Sequence, residues 1–542
     1  MQLTGYADKF SVKPGETIKF YVSSRNPNYK AELVRVIHGD PNPKGPGFKT
    51  EPVSTDIDGE YTGYEQVLYG GSHVIVNDAA SFNIENSFTI TSWIYPTMPD
   101  SGKSQAIVTK LSKEGTKGYG FFINKRGELA LWVGDGNTSD CITSGRKLRK
   151  SNWYFVAASF DQPSQTVKIY QKPMGWTQVS ERTISEKSID FSRIQFTEDP
   201  LYIAASIDAN GKHRKGFNGK IEQPTIYKEV LSIDDIDNLS MDAGQISEEN
   251  IVASWDFSIG MDTQVIEDSS GNGRDGVLFQ TPTRAVRGAS WDGSHQSYLD
   301  APEHYAAIHF HEDDLTDAGW KEIASWQVPK KMKSGQYAFK VTQEDSEEYV
   351  PFFVRAPKGR RGSDVVYLVP SATYLAYANI RLAFSGGMLR QSRLVDANQA
   401  FLFAHEDVGF SLYEHHADGS GVHFSSRHRP ILNFRPKTGT WAFNADTHIT
   451  AWLDAIGQEF DVVTDEDLHL EGYDVIEGYR VVLTGTHPEY FSSAMRSALS
   501  DWLAQSGRLM YMGGNGFYWR IAFCPQNPAI IEVRRAEDGT RA

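Results

Sequence analysis

The chain has 542 residues, a formal net charge of −15 at pH 7 and a pI near 5.5. Single hydrophobic cores rarely grow beyond ~250–300 residues, so we expect more than one domain. The acidic balance, without a basic run or a nucleic-acid-binding motif, disfavours nucleic acid as a partner. No segment approaches ~18 unbroken apolar residues, so we expect no membrane partner either.

The cysteines and the N-terminus bear on the cellular compartment. Cys141 and Cys524 stand far apart and make neither a disulfide framework nor a Cys-ligated zinc site. We expect Cys524 to be a small buried apolar residue. The opening MQLTGYADKFSVKPGE lacks a basic start followed by an apolar stretch, so no signal peptide is predicted. These features predict a cytoplasmic protein.

The first predicted elements are β-strands. VKPGE is typical of a turn, and the following TIKFYVSS alternates in polarity, as in the opening of an immunoglobulin-like sandwich. Its partner strands come much later, in KSGQYAFKV and EEYVPFFV. We therefore predict a discontinuous sandwich over residues 1–59 and 291–360, interrupted by an inserted domain.

The predicted insert, residues 60–290, is also rich in strands. SFTITSWIYP, NWYFVAASFD and QTVKIYQK are separated by turn residues, with no helical period between them. This pattern predicts a β-sandwich or jelly roll. The order of these segments, closed by WDFSIG and DSSGNGRDGVL, resembles laminin-G and concanavalin-like domains.

Residues 361–542 follow a different pattern. Short β-branched runs (SDVVYLVPS, FDVVTDEDL, YRVVLTG, RLMYMGGNG) alternate with helical segments (THITAWLDAIG, SSAMRSALSDWLAQSG). Such alternation predicts a parallel sheet with helices on its faces. Ligands of these sheets bind at the carboxyl ends of the strands. We expect Tyr374, His487 and Asn515 to converge there, because each lies just past a predicted strand.

Several other segments carry residues that bind metals or act in catalysis. Four histidines, His415, His416, His423 and His428, suggest zinc, but their spacing is not that of a helical zinc motif, so a polar loop is favoured. The DGSG and DSSGNGRDG turns offer calcium ligands and are interpreted as turns. The histidines of IHFHEDD, His309 and His311, are predicted to lie on the surface of the sandwich.

Tyrosines close to the expected site suggest another chemistry. Tyr374 and Tyr377 follow the first strand of the α/β region, and Tyr413 opens the histidine-rich segment. Tyrosines usually pack, but a phenolate is a hard anionic oxygen ligand. Because its unperturbed pKa is near 10, only a strong Lewis acid such as ferric iron holds it ionised at neutral pH. Two phenolates and a carboxylate would offer such an ion three negative oxygens.

The GGNG turn, residues 513–516, resembles a nucleophile elbow without its nucleophile. Asn515 has neither a hydroxyl nor a thiol, so this turn cannot support covalent catalysis. We interpret Asn515 either as part of a glycine turn or as an amide that orients a substrate carbonyl.

Five segments, SATYLAYAN, LYEHHADGSG, FSSRHRPI, TGTHPEY and MGGNGFYWR, together resemble the large subunit of N,N-dimethylformamidase. The resemblance implies a multidomain protein, with the sandwich and its laminin-G-like insert followed by an α/β domain of the amidotransferase-like, flavodoxin-like kind. It implies hydrolysis of dimethylformamide to dimethylamine and formate at a mononuclear iron, expected as Fe³⁺, held by two tyrosines and one glutamate. It also implies a small subunit as partner and a dimer of large subunits, in an α2β2-type assembly or its multiples.

The resemblance also assigns the ligands of the iron. Glu489 of THPEY matches the glutamate ligand and Tyr413 matches the second tyrosine. The first tyrosine falls in TYLAY, where we prefer Tyr374 and keep Tyr377 as the alternative.

The remaining site residues follow from the same motifs. His487 and Asn515 match polar residues of the pocket and are assigned to catalysis together with Glu489. The aromatic residues of GFYWR, Phe517, Tyr518 and Trp519, are expected to wall the substrate pocket.

One departure from the family concerns the end of the chain. The family has a further active-site glutamate downstream of GFYWR, and this chain ends before any obvious counterpart. Its closing AIIEVRRAEDGTRA has the pattern of a strand and a turn. We expect either a fragment of a longer product or a second piece that supplies the missing group. The alternative functions are a related small-amide hydrolase and a non-catalytic protein that binds carbohydrate or protein.

Overall fold

The computed structural model describes residues 3–84, 86–175, 182–190, 193–210, 212–244, 246–357, 359, 361–381 and 397–535. These residues divide into two compact units. The first unit draws on residues 1–68, 315–415 and 421–533, and the second on 69–314, 416–420 and the chain from 534 onward.

The second unit is a β-sandwich, as the sequence predicts. One antiparallel sheet contains, in spatial order, Ser139–Lys147, Glu128–Asp135, Lys117–Ile123, Gln105–Leu111, Leu201–Ile203, His73–Val76, Gly276–Phe279 and Val265–Ile266. The other contains Thr183–Ser188, Thr166–Pro173, Tyr154–Asp161, Ser87–Pro96, Gly219–Tyr227, Ala307–Phe310 and Thr283–Val286, with Ile251–Ser254 paired to Gly219–Tyr227. A two-stranded ribbon joins Ser206–Ile207 to His213–Arg214.

Side chains that alternate between the two faces of each strand build the core of this sandwich. In the central strand Ser87–Pro96, the side chains of Phe88, Ile90 and Ile94 are buried in one large apolar cluster. Successive side chains of a strand point to opposite faces, so the intervening residues face away from that cluster. Among its described residues, this unit has the α-helix Ile233–Leu239 and 3₁₀ turns at Ala80–Phe82, Glu248–Asn250 and Pro302–Tyr305.

The strand Ala307–Phe310 lies inside the second sheet of this unit. It hydrogen-bonds to Gly219–Tyr227, although the predicted insert ends at residue 290. His309 and His311 are therefore 4% and 1% exposed, and their predicted surface position is wrong. An isolated pair of polar residues on one strand face does not reveal that another chain segment covers it.

The first unit contains a sandwich and a parallel sheet. The sandwich has a six-stranded sheet of Ser11–Val12, Ser346–Val354, Gly335–Gln343, Asn28–His38, Lys49–Val53 and Gly59–Thr62, and a three-stranded sheet of Leu3–Ala7, Thr17–Ser24 and Ala324–Gln327. The early strands thus pair with strands more than 300 positions later. The pairing of Asn28–His38 with Gly335–Gln343 confirms this, since Val34 lies opposite Ala338.

The parallel sheet has four strands, in the order Asp461–Thr464, Val365–Val369, Val481–Thr484 and Arg508–Met510. Its neighbouring helices are Ser371–Ala376, Phe443–Ala455, Asp465–Glu471 and Ser493–Ala504. Val366, Val369 and Val482 are fully buried, as expected for a sheet covered on both faces. Because all strands run the same way, the segments that follow them meet at one edge.

Short elements complete the first unit. A three-stranded sheet contains Phe424–Ser426, Asn527–Glu532 and Ala522–Cys524, and Tyr490–Phe491 pairs with Trp519–Arg520. The helix Ala397–Ala404 and the 3₁₀ turns Glu406–Val408 and Gly472–Val475 lie between larger elements. Cys524 is only half-buried, so its predicted burial is not complete. Residues 536–542, the end of the predicted strand and turn, lie outside the described residues.

No helix within the described residues has both the length and the apolar character needed to cross a bilayer.

Glu471, at the end of the helix Asp465–Glu471, gives the first unit a pH-dependent ion pair. Its carboxylate accepts hydrogen bonds from Lys13 Nζ at 2.9 Å and from the guanidinium of Arg355. Burial raises the pKa of Glu471, but the bonds from Arg355 and Lys13 outweigh it and lower the pKa to about 2, from an ordinary 4.5.

We expect Glu471→Gln to destabilise the protein by about 1 kcal/mol at pH 7, a value reduced for solvent screening at this partly exposed site. A carboxyl with a lowered folded-state pKa stabilises above its unfolded pKa, and this stabilisation is lost as pH falls through the folded value. The difference between wild type and variant should therefore shrink between about pH 4.5 and about pH 2. Urea denaturation across this range measures it, and a constant difference would contradict the assignment.

Candidate active site

Three segments that follow strands of the parallel sheet meet at its carboxyl edge. Val365–Val369 leads into the short helix Ser371–Ala376, Val481–Thr484 leads into the turn 485–489, and Arg508–Met510 leads into the glycine loop 513–516. Ligands bind at this edge in parallel sheets. The candidate site is built from these segments and from Tyr413.

The carboxylate of Glu489 is the centre of the site. Its side chain is 4% exposed. Oε2 accepts a hydrogen bond from the Tyr377 hydroxyl at 2.7 Å and lies 3.0 Å from His487 Nε2, while Oε1 accepts from the Tyr413 hydroxyl at 3.2 Å. The Tyr490 hydroxyl in turn donates to the Tyr413 oxygen at 2.6 Å. Two phenols and an imidazole therefore converge on one buried carboxylate.

Aromatic rings surround this polar group. Tyr377 and Tyr413 stack with centroids 4.5 Å apart. Trp441 packs against the His487 ring at 4.8 Å and meets Tyr377 edge-on at 5.2 Å. These contacts fix the orientation of both phenols and of the imidazole, and they provide an apolar wall beside polar groups, which is typical of small-molecule sites.

The electrostatics favour an ionised carboxylate. Burial raises the pKa of Glu489, but hydrogen bonds from His487, Tyr377 and Tyr413 outweigh it and lower the pKa below its ordinary value. Burial, followed by the hydrogen bonds with Tyr413 and Glu489, raises the pKa of Tyr377. The arrangement is thus an anionic acceptor with neutral phenol donors.

A second buried carboxyl group, that of Asp446, holds the turn that carries the site. Asp446 lies in the helix Phe443–Ala455 and accepts hydrogen bonds from the backbone N of Thr486 at 2.6 Å and from its hydroxyl at 2.7 Å. Its other oxygen accepts from the Tyr374 hydroxyl. Gly485 leaves room for this contact, because a Cβ there would lie 2.6 Å from two ring carbons of Pro370 and 2.8 Å from Asp446 Oδ2.

The structure assigns the two tyrosines of TYLAY to different carboxyl groups. Tyr374, the residue preferred from the sequence as a metal ligand, contacts Asp446, whereas Tyr377 contacts Glu489. The geometry therefore favours the alternative, Tyr377, as the tyrosine beside Glu489, and its role as a metal ligand stays a prediction. Both follow the same strand, and their different directions depend on where the short helix Ser371–Ala376 ends, which the spacing of three does not reveal.

The glycine loop lies directly against the turn. A Cβ on Gly513 would lie 2.0 Å from the Thr486 carbonyl oxygen, so only glycine fits there. The backbone N of Gly514 donates to the same oxygen at 3.3 Å. Asn515, with φ +51, is exposed at the top of this loop, next to the segment that carries His487.

The predicted wall residues lie beside the turn rather than around the carboxylate. Phe517 and Tyr518 are 38% and 68% exposed, and Phe517 packs against Phe491 at 4.4 Å. The backbone N of Trp519 donates to the carbonyl oxygen of Glu489 at 3.0 Å. These residues brace the backbone of the site.

Sequence reasoning missed Trp441, Tyr490 and Asp446. Tyr490 belongs to the THPEY motif itself, so the sequence already shows that it lies next to Glu489. Trp441 lies just before the helix Phe443–Ala455 and Asp446 lies within it; this segment has no catalytic spacing, and only the fold brings both residues to the sheet edge.

The histidine-rich segment does not act as one group. His415 is exposed, His423 contacts the carbonyl oxygen of Val533 at 3.2 Å, and His428 contacts that of Asp8 at 3.3 Å. In the DGSG turn, Asp418 accepts from the backbone N and hydroxyl of Ser420, as a turn residue does.

Comparison with known proteins identifies the family. Residues 283–542 match the family described as N,N-dimethylformamidase beta subunit-like, C-terminal. The chain is 36% identical to the N,N-dimethylformamidase beta subunit of Paracoccus aminophilus, over 99% of this chain and 74% of that protein. It is 34% identical to the beta subunit from Alcaligenes sp., over 98% of this chain and 74% of that protein. This chain belongs to the N,N-dimethylformamidase beta subunit family.

The comparisons correct one prediction and confirm another. The relatives are named beta subunits, so the assignment to the large subunit is wrong. The motifs of the site mark the family, but no residue in them specifies which subunit carries them. Residues 68–237 match the concanavalin A-like lectin/glucanases superfamily. This match confirms the predicted laminin-G-like domain.

Other similarities are too distant to support an inference about function. A putative carbohydrate binding protein from Bacteroides ovatus is 15% identical, with a TM-score of 0.29 over 49% of this chain and 68% of that one. The descriptions of the two matching families name neither an amidotransferase-like nor a flavodoxin-like fold for residues 361–542, so that finer assignment stays a prediction.

The Asp446 network leads to a stability prediction. Tyr374→Phe removes one donor to a buried carboxyl group, and we expect the free energy of unfolding to fall by about 1–2 kcal/mol. Tyr518→Phe, which removes the same hydroxyl from an exposed position, should leave it unchanged within about 0.5 kcal/mol. Chemical denaturation measures both, and equal effects of the two substitutions would contradict a stabilising role for the network.

Proposed function

We propose that this dimethylformamidase-family chain hydrolyses N,N-dimethylformamide to dimethylamine and formate. The observation that carries the proposal is the Glu489 carboxylate with two phenols and an imidazole, at the ligand-binding edge of a parallel sheet. Its relatives, 36% and 34% identical along the chain, are named for that enzyme.

The proposal includes a mononuclear iron, expected as Fe³⁺, held by Tyr377, Tyr413 and Glu489. The donor set fits this ion, because the Tyr377 hydroxyl lies 2.7 Å from Glu489 Oε2, the Tyr413 hydroxyl lies 3.2 Å from Oε1, and both phenols would lose their protons on metal binding. The two phenols aim at the one carboxylate that such an ion would share. The raised pKa of Tyr377 means that only a strong Lewis acid could ionise it at neutral pH. On this proposal Tyr374 is not a ligand; its hydroxyl donates to Asp446, which holds the turn before Glu489.

When bound, the ferric ion supplies Lewis acidity, which polarises a carbonyl group and makes a water more acidic. The residues of the chain manage the protons. His487, held through Nε2 at 3.0 Å from Glu489 Oε2, would take a proton from the attacking water at its other ring nitrogen and return it to the nitrogen of the leaving dimethylamine. General acid–base catalysis of this kind typically contributes ~10²–10⁴-fold.

Two further groups suit a small neutral amide. Asn515 on the glycine loop would donate a hydrogen bond to the oxygen that becomes negative, a contribution of about 3 kcal/mol. The ring of Trp441, against His487 and Tyr377, would receive the methyl groups of the substrate. Phe517, Tyr518 and Trp519 would form the outer rim, since two of them are exposed.

We also propose a second kind of subunit. The relatives are named beta subunits, and such a name belongs to an enzyme with more than one type of chain. Activity assays therefore need this chain both alone and with its partner.

The ligand assignment predicts different outcomes for the two neighbouring tyrosines. The purified protein should hold about one iron per chain and absorb visible light through tyrosinate-to-iron charge transfer. Tyr377→Phe should lose most of that absorption and bind iron weakly, because it removes an anionic ligand, whereas Tyr374→Phe should keep both. Metal analysis and visible spectroscopy decide the matter. A colourless wild type with stoichiometric zinc, or colour lost only in Tyr374→Phe, would exclude the proposed ligand set.

The catalytic roles predict a separation of binding from chemistry. His487→Gln should retain the iron and its colour while kcat for dimethylamine release falls by ~10²–10⁴-fold, because the proton carrier is lost. Glu489→Gln should lose both metal and activity. The assay is run with and without the partner subunit on a panel of formamides and acetamides. An unchanged kcat in His487→Gln would show that this residue has no catalytic role. A preference for another amide would show that dimethylformamide is not the main substrate.

A further inference from the structure

A second group of metal-binding side chains lies within the second unit. Three histidines and three aspartates come together there: His309, His311, His416, Asp313, Asp314 and Asp418. The imidazole side chains are 1–6% exposed, and that of Asp418 is 1% exposed. The proposed hydrolysis uses none of them.

Three of these side chains point their ligand atoms at one another. Asp418 Oδ2 lies 3.2 Å from His309 Nε2 and 3.8 Å from His311 Nε2. The three ligand atoms all lie within 4.8 Å of one another. The other oxygen of Asp418 is held by the backbone N and hydroxyl of Ser420, at 2.8 and 2.6 Å, which fixes the direction of Oδ2. Ligands bound to one ion at about 2.0–2.2 Å have separations of this order.

The surroundings orient one ligand in the manner of known metal sites. The far nitrogen of His311, Nδ1, lies 3.3 Å from Asp314 Oδ2, and that oxygen accepts a hydrogen bond from the Ser72 hydroxyl at 2.6 Å. A metal-bound histidine usually donates its second N–H to a carboxylate, which fixes its tautomer and raises its basicity. The bond to Asp314 therefore leaves His311 Nε2 facing the turn of Asp418, 2.8 Å from the Ser420 hydroxyl and 3.8 Å from Asp418 Oδ2.

A neighbouring histidine stabilises this arrangement. The ring of His416 stacks on that of His311, with centroids 3.8 Å apart and planes at 7°. Its Nδ1 lies 2.7 Å from Asp313 Oδ1. His416 is thus committed to a different carboxylate and serves as packing for the His311 ring.

We propose that His309, His311 and Asp418 form a structural site for a divalent transition metal of the zinc type, separate from the site at Glu489. Two imidazoles with one carboxylate favour such an ion over calcium, which prefers oxygen ligands alone. The deep burial favours a structural over a catalytic role. The Ser420 hydroxyl lies 2.8 Å from His311 Nε2, and a water hydrogen-bonded to this hydroxyl would be the fourth ligand of the ion.

The local sequence produces this set without a familiar motif. His309 and His311 are two residues apart at the end of the strand Ala307–Phe310, so both project from the same face. Asp418 comes from a turn more than 100 residues later. Only the fold brings the two segments together.

The test uses the full chain with Tyr377→Phe and Glu489→Gln combined, so that metal at the proposed iron site does not contribute. After removal of metals by a chelator, the protein is titrated with Co²⁺ and then with Zn²⁺. We expect about one Co²⁺ per chain with the strong visible bands of tetrahedral coordination, displaced by about one Zn²⁺. Zinc should also raise the thermal midpoint, increasingly with its concentration.

Single substitutions in that background identify the ligands. His309→Asn and Asp418→Asn should each weaken zinc binding by at least about 100-fold, and Asp314→Asn by ~10–100-fold. His415→Asn, which replaces an exposed histidine of the same segment, is the matched control and should bind zinc as before. Circular dichroism checks that each variant is folded.

Two results would overturn the proposal. One is a Co²⁺ titration of the folded parent that yields only weak, octahedral-type bands. The other is a folded His309→Asn or Asp418→Asn variant that binds zinc as tightly as the His415→Asn control. If a substituted chain does not fold, the Co²⁺ spectrum of the parent still decides between a metal site and a metal-free hydrogen-bonded cluster.

Discussion

The candidate active site depends on one buried carboxyl group, that of Asp446. Its oxygens accept hydrogen bonds from the backbone and hydroxyl of Thr486 and from Tyr374, so two helices and one turn are tied together. Such bonds are costly to leave unmade in a low-dielectric interior. The turn that follows Val481–Thr484 is thereby held in one conformation, and Glu489, three residues beyond Thr486, is presented at the sheet edge.

The chemistry of the site follows from that placement. Glu489 is buried, yet its pKa is lowered because His487, Tyr377 and Tyr413 direct hydrogen-bonding groups at it. A buried carboxylate with two phenol neighbours offers oxygen ligands that suit a hard trivalent cation. The same geometry places the imidazole of His487 3.0 Å from the Glu489 carboxylate, which is within proton-transfer distance. Metal binding and proton transfer in the proposed dimethylformamide hydrolysis thus share one carboxylate.

Both units bring together side chains that are far apart in sequence, but they do so with different architectures. In the first unit, parallel strands bring short loops to one edge, so functional side chains come from segments far apart in sequence. In the second, a strand that ends at Phe310 presents His309 and His311 to a turn carrying Asp418, inside a β-sandwich. In both cases nitrogen or oxygen donors converge on one buried carboxylate.

The sequence by itself determined the alternation of strands and helices after residue 361, the all-β insert, and the family, because periodicity and short motifs are local properties. It also placed Glu489, His487 and Tyr413 in one site. It could not choose between Tyr374 and Tyr377, since both follow the same strand, and the end of a short helix decides which carboxyl group each one meets. It placed His309 on the surface, because burial by a distant segment leaves no local signal. Those features were decided by tertiary structure, where contacts join residues more than 70 positions apart.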